Sequence, residues 1–165
     1  MLLSALAAVV TSLVLTLAAE RVAARLGIVA RPRADRWHRQ PVPLLGGVAI
    51  ALGTVAGLGV ADAWGRRIFV LVAGAALMMA VGLLDDVRCL RPQTKLLAQV
   101  LLAGGLLLFG FELRLTGYRL LDTLLTLFWV VGVTNAFNLL DNMDGLAATI
   151  ALVAGAFRAY FFLQE

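Results

Sequence analysis

Residues 68–86 read IFVLVAGAALMMAVGLLDD, an uncharged apolar run from Ile68 to Leu84 closed by the acidic pair Asp85-Asp86. A surface helix would show polar residues on one side every three or four positions, and this run shows none on any side. At roughly 1.5 Å of rise per residue, the run covers most of a hydrocarbon core about 30 Å thick. It reads as a membrane helix that delivers two carboxylates to one water interface.

Outward from it, the pattern repeats. Leu2 to Ala19, Gln40 to Ala61, Leu96 to Phe111 and Thr123 to Leu140 carry no charge, and Gly145 to Leu163 carries only Arg158. These runs predict an all-α fold, a polytopic membrane bundle of about six transmembrane helices in a single membrane domain. The predicted helices span 2–19, 43–61, 68–84, 96–111, 121–138 and 145–163, and the run behind the fourth is the shortest. Composition points the same way. Of 165 residues, 62% are hydrophobic and 15% charged, where soluble domains have about 45–50% and 25%. Mean hydropathy is +0.95. Those values exclude an ordinary aqueous surface, and disorder as well. A single cysteine, Cys89, excludes a disulfide framework. Gly53-Thr-Val-Ala-Gly57 is a small-xxx-small pattern that permits close helix packing. The first run has no basic segment before it and an Arg-rich one after it, so it reads as a retained helix, not a signal peptide.

Basic residues set the orientation. Arg21, Arg25, Arg31, Arg33, Arg36 and Arg39 follow the first run, and Arg88, Arg91 and Lys95 follow the third. Only Arg66, Arg67, Arg114 and Arg119 lie in the alternate loops. The positive-inside rule then places loops one, three and five in the cytoplasm and both chain ends outside. Net charge is +4, which anionic inner-leaflet lipid accounts for without any nucleic acid.

Acidic residues are costly near a membrane, so their placement is informative. Asp85, Asp86, Asp141 and Asp144 all fall at predicted cytoplasmic helix ends. Two carboxylate pairs on one face suit a cation or phosphate-transfer site, since Mg²⁺ takes carboxylate and phosphate oxygens. A single Asp there would more simply cap a helix. Asn135, Asn138, Asp141 and Asp144 recur every three residues and cannot share one face of a straight α-helix. Either the helix tightens to 3₁₀, or it breaks near Asn142 and Gly145 and gathers the polar groups into one cavity. Lys95, the only lysine, could hold a phosphate as a point charge or simply anchor the loop. His38, the only histidine, sits among arginines that favour nearby anions. Cys89, with no histidine near it in sequence, reads as an inert thiol.

Three segments together resemble the polyprenyl-phosphate N-acetylhexosamine-1-phosphate transferases. His38-x-x-Pro41-x-Pro43-x-x-Gly46-Gly47 resembles the first cytoplasmic motif of that family. Gly82-Leu-Leu-Asp85-Asp86 with Lys95 and Gln99 resembles the paired-Asp motif. Asn135-Ala-Phe-Asn138-Leu-Leu-Asp141-Asn-Met-Asp144-Gly145-Leu-Ala resembles the third. The Asn-Met between the last two aspartates is closer to the teichoic-acid and O-antigen branch than to the muramoyl-pentapeptide branch. Two positions depart from the pattern: Leu44 stands where a basic residue is common, and Arg36 where lysine is common.

The resemblance implies attack by undecaprenyl phosphate on the β-phosphorus of a UDP-N-acetylhexosamine, releasing UMP, at a bacterial plasma membrane. It implies Mg²⁺ as cofactor, with Mn²⁺ an alternative. Asp85 and Asp86 would be catalytic, Asn138 and Asp141 metal-binding, and His38, Lys95, Asn135 and Asp144 substrate-binding. Family members are about twice as long, with ten or eleven helices. The expectation is therefore an N-terminal half that is inactive alone, completed by a missing C-terminal half or a homodimer. The competing readings are a non-catalytic small membrane protein and an ion-coupled transporter subunit. A transporter would place its acids at mid-membrane.

Overall fold

The computed structural model describes residues 2–26, 29–30, 42–43, 45–141, 143, 145–162 and 164. Among them run α1 (Leu2–Leu26), α2 (Gly46–Val60), α3 (Arg66–Arg88), α4 (Pro92–Leu108), α5 (Arg119–Leu140) and α6 (Leu146–Phe162). Between α1 and α2, β1 (Val29–Ala30) and β2 (Val42–Pro43) pair antiparallel, Val29 with Pro43 and Ala30 with Val42. This short ladder ties together the two ends of the first loop within an otherwise all-α architecture.

Helix ends follow backbone chemistry more than charge. α1 continues past Ala19 through Glu20, Arg21 and Arg25, because Ala, Leu, Glu and Arg are all strong helix formers. α3 begins after an extended Gly65 and stops where Cys89 turns left-handed, at φ 50°. α4 opens on Pro92, whose missing N–H costs nothing in a first turn. Its far end is followed by Gly110 at φ 84°, a conformation glycine adopts without penalty.

These boundaries correct the expected number of spans. Among the described residues, three helices are long and apolar enough to cross a membrane: α1 over Leu2–Val22, α3, and α5. The other three have 15, 17 and 17 residues, about 22–26 Å of rise against a core of roughly 30 Å. The predicted second helix, 43–61, is longer than α2, because an uncharged residue outside a helix looks like one inside it. Leu45 precedes α2 as its cap without belonging to it, and α4 spends its first four residues on Pro92, Gln93, Thr94 and Lys95. The chain is a polytopic helical membrane protein in which, among the described residues, three helices have the length and apolarity to span and three apolar ones are shorter.

Packing is inverted relative to a soluble domain. The buried hydrophobic residues are small, Ala49 and Ala103, while Phe128 is 76% exposed and Leu152 73%. Lipid is as apolar as leucine, so helices associate where small side chains let backbones approach. α1 and α2 show this directly. Gly53 faces Ala8 and Ser12, Gly57 faces Ser4 and Ala8, and the Ser12 hydroxyl donates to the Ala49 carbonyl at 3.3 Å. Rising numbers on α2 meet falling numbers on α1, so the pair is antiparallel. The small-xxx-small pattern of Gly53 and Gly57 is the contact surface of this hairpin.

α4 and α5 form a second antiparallel hairpin, locked at its turn by buried polar groups. Asp122 Oδ1 accepts from the Leu115 N–H (3.1 Å), the Thr116 N–H (2.9 Å) and the Thr116 hydroxyl (2.8 Å). Thr126 accepts from the Leu113 N–H at 2.9 Å and donates to the Asp122 carbonyl at 2.7 Å. Asp122 and Thr126 are each 4% exposed. The lock sits at the hairpin end remote from Lys95.

Candidate functional site

Asp85 lies one turn before the C-terminal end of α3, where the helix dipole disfavours a carboxylate. Local structure offsets this. The left-handed turn at Cys89 folds the chain back, so the Leu90 N–H donates to Asp85 Oδ1 at 3.0 Å. The Cys89 N–H donates to the Asp85 carbonyl at 2.7 Å. The second carboxylate oxygen, Oδ2, pairs with Lys95 Nζ at 2.7 Å. Lys95 is in the first turns of α4, and both side chains are partly buried. Each Asp85 oxygen is thus assigned, one to the connection and one to Lys95. An ammonium has three donors, so two of those on Lys95 remain for other acceptors. Asp86 follows on α3, exposed and about 100° further round the helix.

One turn beyond Lys95 on the same face of α4 is Gln99, 6% exposed. It meets Asn135 of α5 in a reciprocal amide pair. Asn135 Nδ2 donates to Gln99 Oε1 at 2.6 Å, and Gln99 Nε2 donates to Asn135 Oδ1 at 3.4 Å. Asn135 Nδ2 also donates to the Val131 carbonyl at 2.8 Å. The helices are antiparallel, so moving from Gln99 to Lys95 and from Asn135 to Asn138 goes in one direction. Lys95 lies about 6 Å along that direction and Asn138 about 4.5 Å, so the two share a level.

α5 ends at Leu140, with Asp141 as its cap in a right-handed conformation. Met143 N–H then bonds the Leu140 carbonyl, Gly145 turns left-handed at φ 73°, and α6 begins at Leu146. Of the two geometries open to the Asn/Asp ladder, the break is the one adopted. Asn138 and Asp141 lie at this end of α5 and are exposed. His38 and Asp144 lie outside the described residues. Among the described residues, no three His, Cys, Asp or Glu side chains come together as a metal cluster. The structure thus joins Asp85 to Lys95 and Asn135 to Gln99, and among the described residues no hydrogen bond or ion pair links Asn138 or Asp141 to either pair.

Sequence reasoning missed two elements. It gave Gln99 no partner, although the spacing Lys95 to Gln99 already puts both on one helix face. It also passed over Asp122, whose first-turn position on α5 was the available signal.

Comparison with known proteins places the sequence in a family. Residues 68–165, which hold both polar segments just described, match the model of glycosyl transferase family 4. The chain belongs to this family. It is similar to a probable undecaprenyl-phosphate N-acetylglucosaminyl 1-phosphate transferase of Bacillus subtilis, 32% identical over 87% of this chain and 43% of the relative. A decaprenyl-phosphate N-acetylglucosaminephosphotransferase of Mycobacterium tuberculosis is 37% identical over 80% of this chain and 38% of the relative. A phospho-N-acetylmuramoyl-pentapeptide-transferase of Lactobacillus gasseri is 29% identical over 84% and 51%. The chain therefore spans about half the length, or less, of these glycosyl transferase family 4 relatives. No solved structure gives a significant match.

Proposed function

We propose that the chain takes part in transferring an N-acetylhexosamine 1-phosphate from a UDP-sugar to undecaprenyl phosphate, with release of UMP, at the cytoplasmic face of a bacterial plasma membrane. The observation that carries this reading is the Asp85–Lys95 pair, on a level with the broken end of α5 in a chain of this family. An oxygen of the lipid phosphate bonds to the β-phosphorus, the bond from that phosphorus to the bridging oxygen breaks, and UMP leaves with the bond electrons. Such transfers depend mainly on positioning and electrostatics.

Lys95 supplies the positive charge. Asp85 fixes where its ammonium sits and leaves two N–H donors for the pyrophosphate. Asp85 or Asp86 orients the lipid phosphate or removes its last proton, a modest task because phosphate monoesters lose that proton near pH 6. His38 is assigned to phosphate and Asp144 to the nucleotide. Asn138 and Asp141 offer hard oxygen donors, few in number, which fits Mg²⁺ because that ion keeps several waters and takes one or two carboxylates plus substrate phosphates. A bound Mg²⁺, or Mn²⁺ in its place, would neutralise charge on the phosphates. The apolar surfaces of the helices would hold the prenyl tail, keeping nucleophile and donor at one interface.

The test is transfer of label from UDP-[³H]N-acetylglucosamine to undecaprenyl phosphate. It uses this chain extended at its C-terminus with the remainder of the Bacillus subtilis relative. The reading predicts solvent-extractable label that requires both lipid phosphate and Mg²⁺. No extractable label from a folded, membrane-inserted protein would overturn it.

A further inference from the structure

We propose that Gln99 and Asn135 form an interhelical clasp that positions the end of α5 against Lys95, and that Asn135 is a positioning residue and not a substrate contact. The inference deepens the reading above and rests on it for its meaning, but its geometry is independent of any substrate.

The hydrogen-bond inventory of Asn135 carries the argument. A side-chain amide has two N–H hydrogens. In Asn135 one goes to Gln99 Oε1 and the other to the Val131 carbonyl, one turn back on its own helix. The Val131 carbonyl can only accept, so it fixes which end of the Asn135 amide carries nitrogen. That in turn fixes the Gln99 amide, whose oxygen must face Asn135 Nδ2 and whose nitrogen faces Oδ1. No donor on Asn135 is left to grip a nucleotide or sugar. The side chain instead ties the rotation of α5 to α4.

The location gives this consequence. Gln99 is one turn from Lys95, and Asn135 one turn from Asn138. A slide of α5 along its axis would move Asn138 and Asp141 off the level of Lys95, and a rotation would carry them round to another side of the helix. The turn lock at Asp122 holds the hairpin only at its other end. Between apolar helices in lipid, where packing contacts tolerate sliding, a reciprocal amide pair is the contact that specifies register.

The experiment is pulsed electron–electron spin resonance on this chain in lipid nanodiscs. Cys89 is replaced by serine, and nitroxides are placed at Leu96→Cys on α4 and Leu139→Cys on α5, both exposed. The parent should give one narrow distance. Gln99→Leu and Asn135→Leu should each shift and broaden it. Gln99→Glu, which keeps an acceptor for Asn135 Nδ2 whether or not it is protonated, should retain the parent distribution. It also keeps the test decisive if a leucine variant fails to insert. Leucine variants with the parent distribution would overturn the proposal, as would a Glu variant that broadens. In the extended chain, Asn135→Leu should lower kcat and leave the KM for UDP-N-acetylglucosamine unchanged. A raised KM with an unchanged distance distribution would make Asn135 a substrate contact after all. If the extended chain transfers no sugar phosphate, the functional reading fails, while the distance measurement still decides the clasp.

Discussion

Lys95 on α4 reaches back across the connection Cys89–Arg91 to pair with Asp85 on α3, Nζ to Oδ2 at 2.7 Å. The pair is partly exposed, and such pairs contribute about 0–1 kcal/mol to stability. Under the proposed function, its value lies in placing an ammonium. Lys95→Gln should leave the melting temperature in detergent nearly unchanged and lower sugar-phosphate transfer by the extended chain by roughly 100-fold or more. Lys95→Arg should not restore it, because a planar guanidinium replaces a compact point charge. Transfer at the parent rate in Lys95→Gln would remove the residue from the site.

The α1–α2 hairpin makes a paired prediction about stability. A Cβ on Gly53 would come within 2.7 Å of the Ala8 carbonyl and would also meet the Ser12 hydroxyl, whereas one on Gly59 would meet nothing within 4 Å. Gly53→Ala should destabilise by about 1–3 kcal/mol, the usual cost of overpacking. Gly59→Ala should be neutral or stabilising by up to about 1 kcal/mol, since alanine is the better helix former. Thermal unfolding of the two variants in the same detergent separates these effects.

How far this architecture could be read from the chain varies with the element. Five uncharged runs and a sixth broken only by Arg158 correspond to six helices, because a segment that buries its backbone in lipid must satisfy its own hydrogen bonds. Their lengths were less legible, since the cap at Leu45 and the proline-started turn Pro92–Lys95 show their roles only in the backbone. The three-residue spacing of Asn135, Asn138 and Asp141 left a 3₁₀ tightening and a helix break open, and the end of α5 at Leu140 decides for the break. The ion pair of Asp85 with Lys95 was not legible. It depends on the left-handed Cys89, a residue with no evident turn preference. The Gln99–Asn135 pair joins residues far apart in sequence and needed the antiparallel hairpin to be known first.

The turn lock should be separable from the site. Asp122→Ala removes the acceptor shared by the Leu115 and Thr116 amides. Their hydrogen exchange should accelerate roughly tenfold or more, as expected for losing hydrogen bonds to a charged group. Exchange at Leu90, beside Asp85, should be unaffected. Equal acceleration at both places would mean that the lock and the site unfold as one unit.

The orientation rests on a count of basic residues and can be tested with the single native cysteine. Cys89 is exposed in the α3–α4 connection. A membrane-impermeant maleimide should label it in inverted vesicles and not in intact spheroplasts. With Cys89→Ser, a cysteine replacing Trp64 at the other end of α3 should label only from outside. The reverse pattern would invert the topology and move the site out of the cytoplasm.

The proposed transfer requires that the Asp85 and Asp141 ends of these helices form one phosphoryl-transfer site. Exchange of labelled UMP into UDP-N-acetylglucosamine by the extended chain supplied with undecaprenyl phosphate, with and without Mg²⁺, measures this most directly. The prediction is Mg²⁺-dependent exchange that EDTA abolishes and that Asp85→Asn and Asp141→Asn each reduce to background, with both variants still folded. Exchange at the parent rate in either variant, or none from the folded parent, would contradict it.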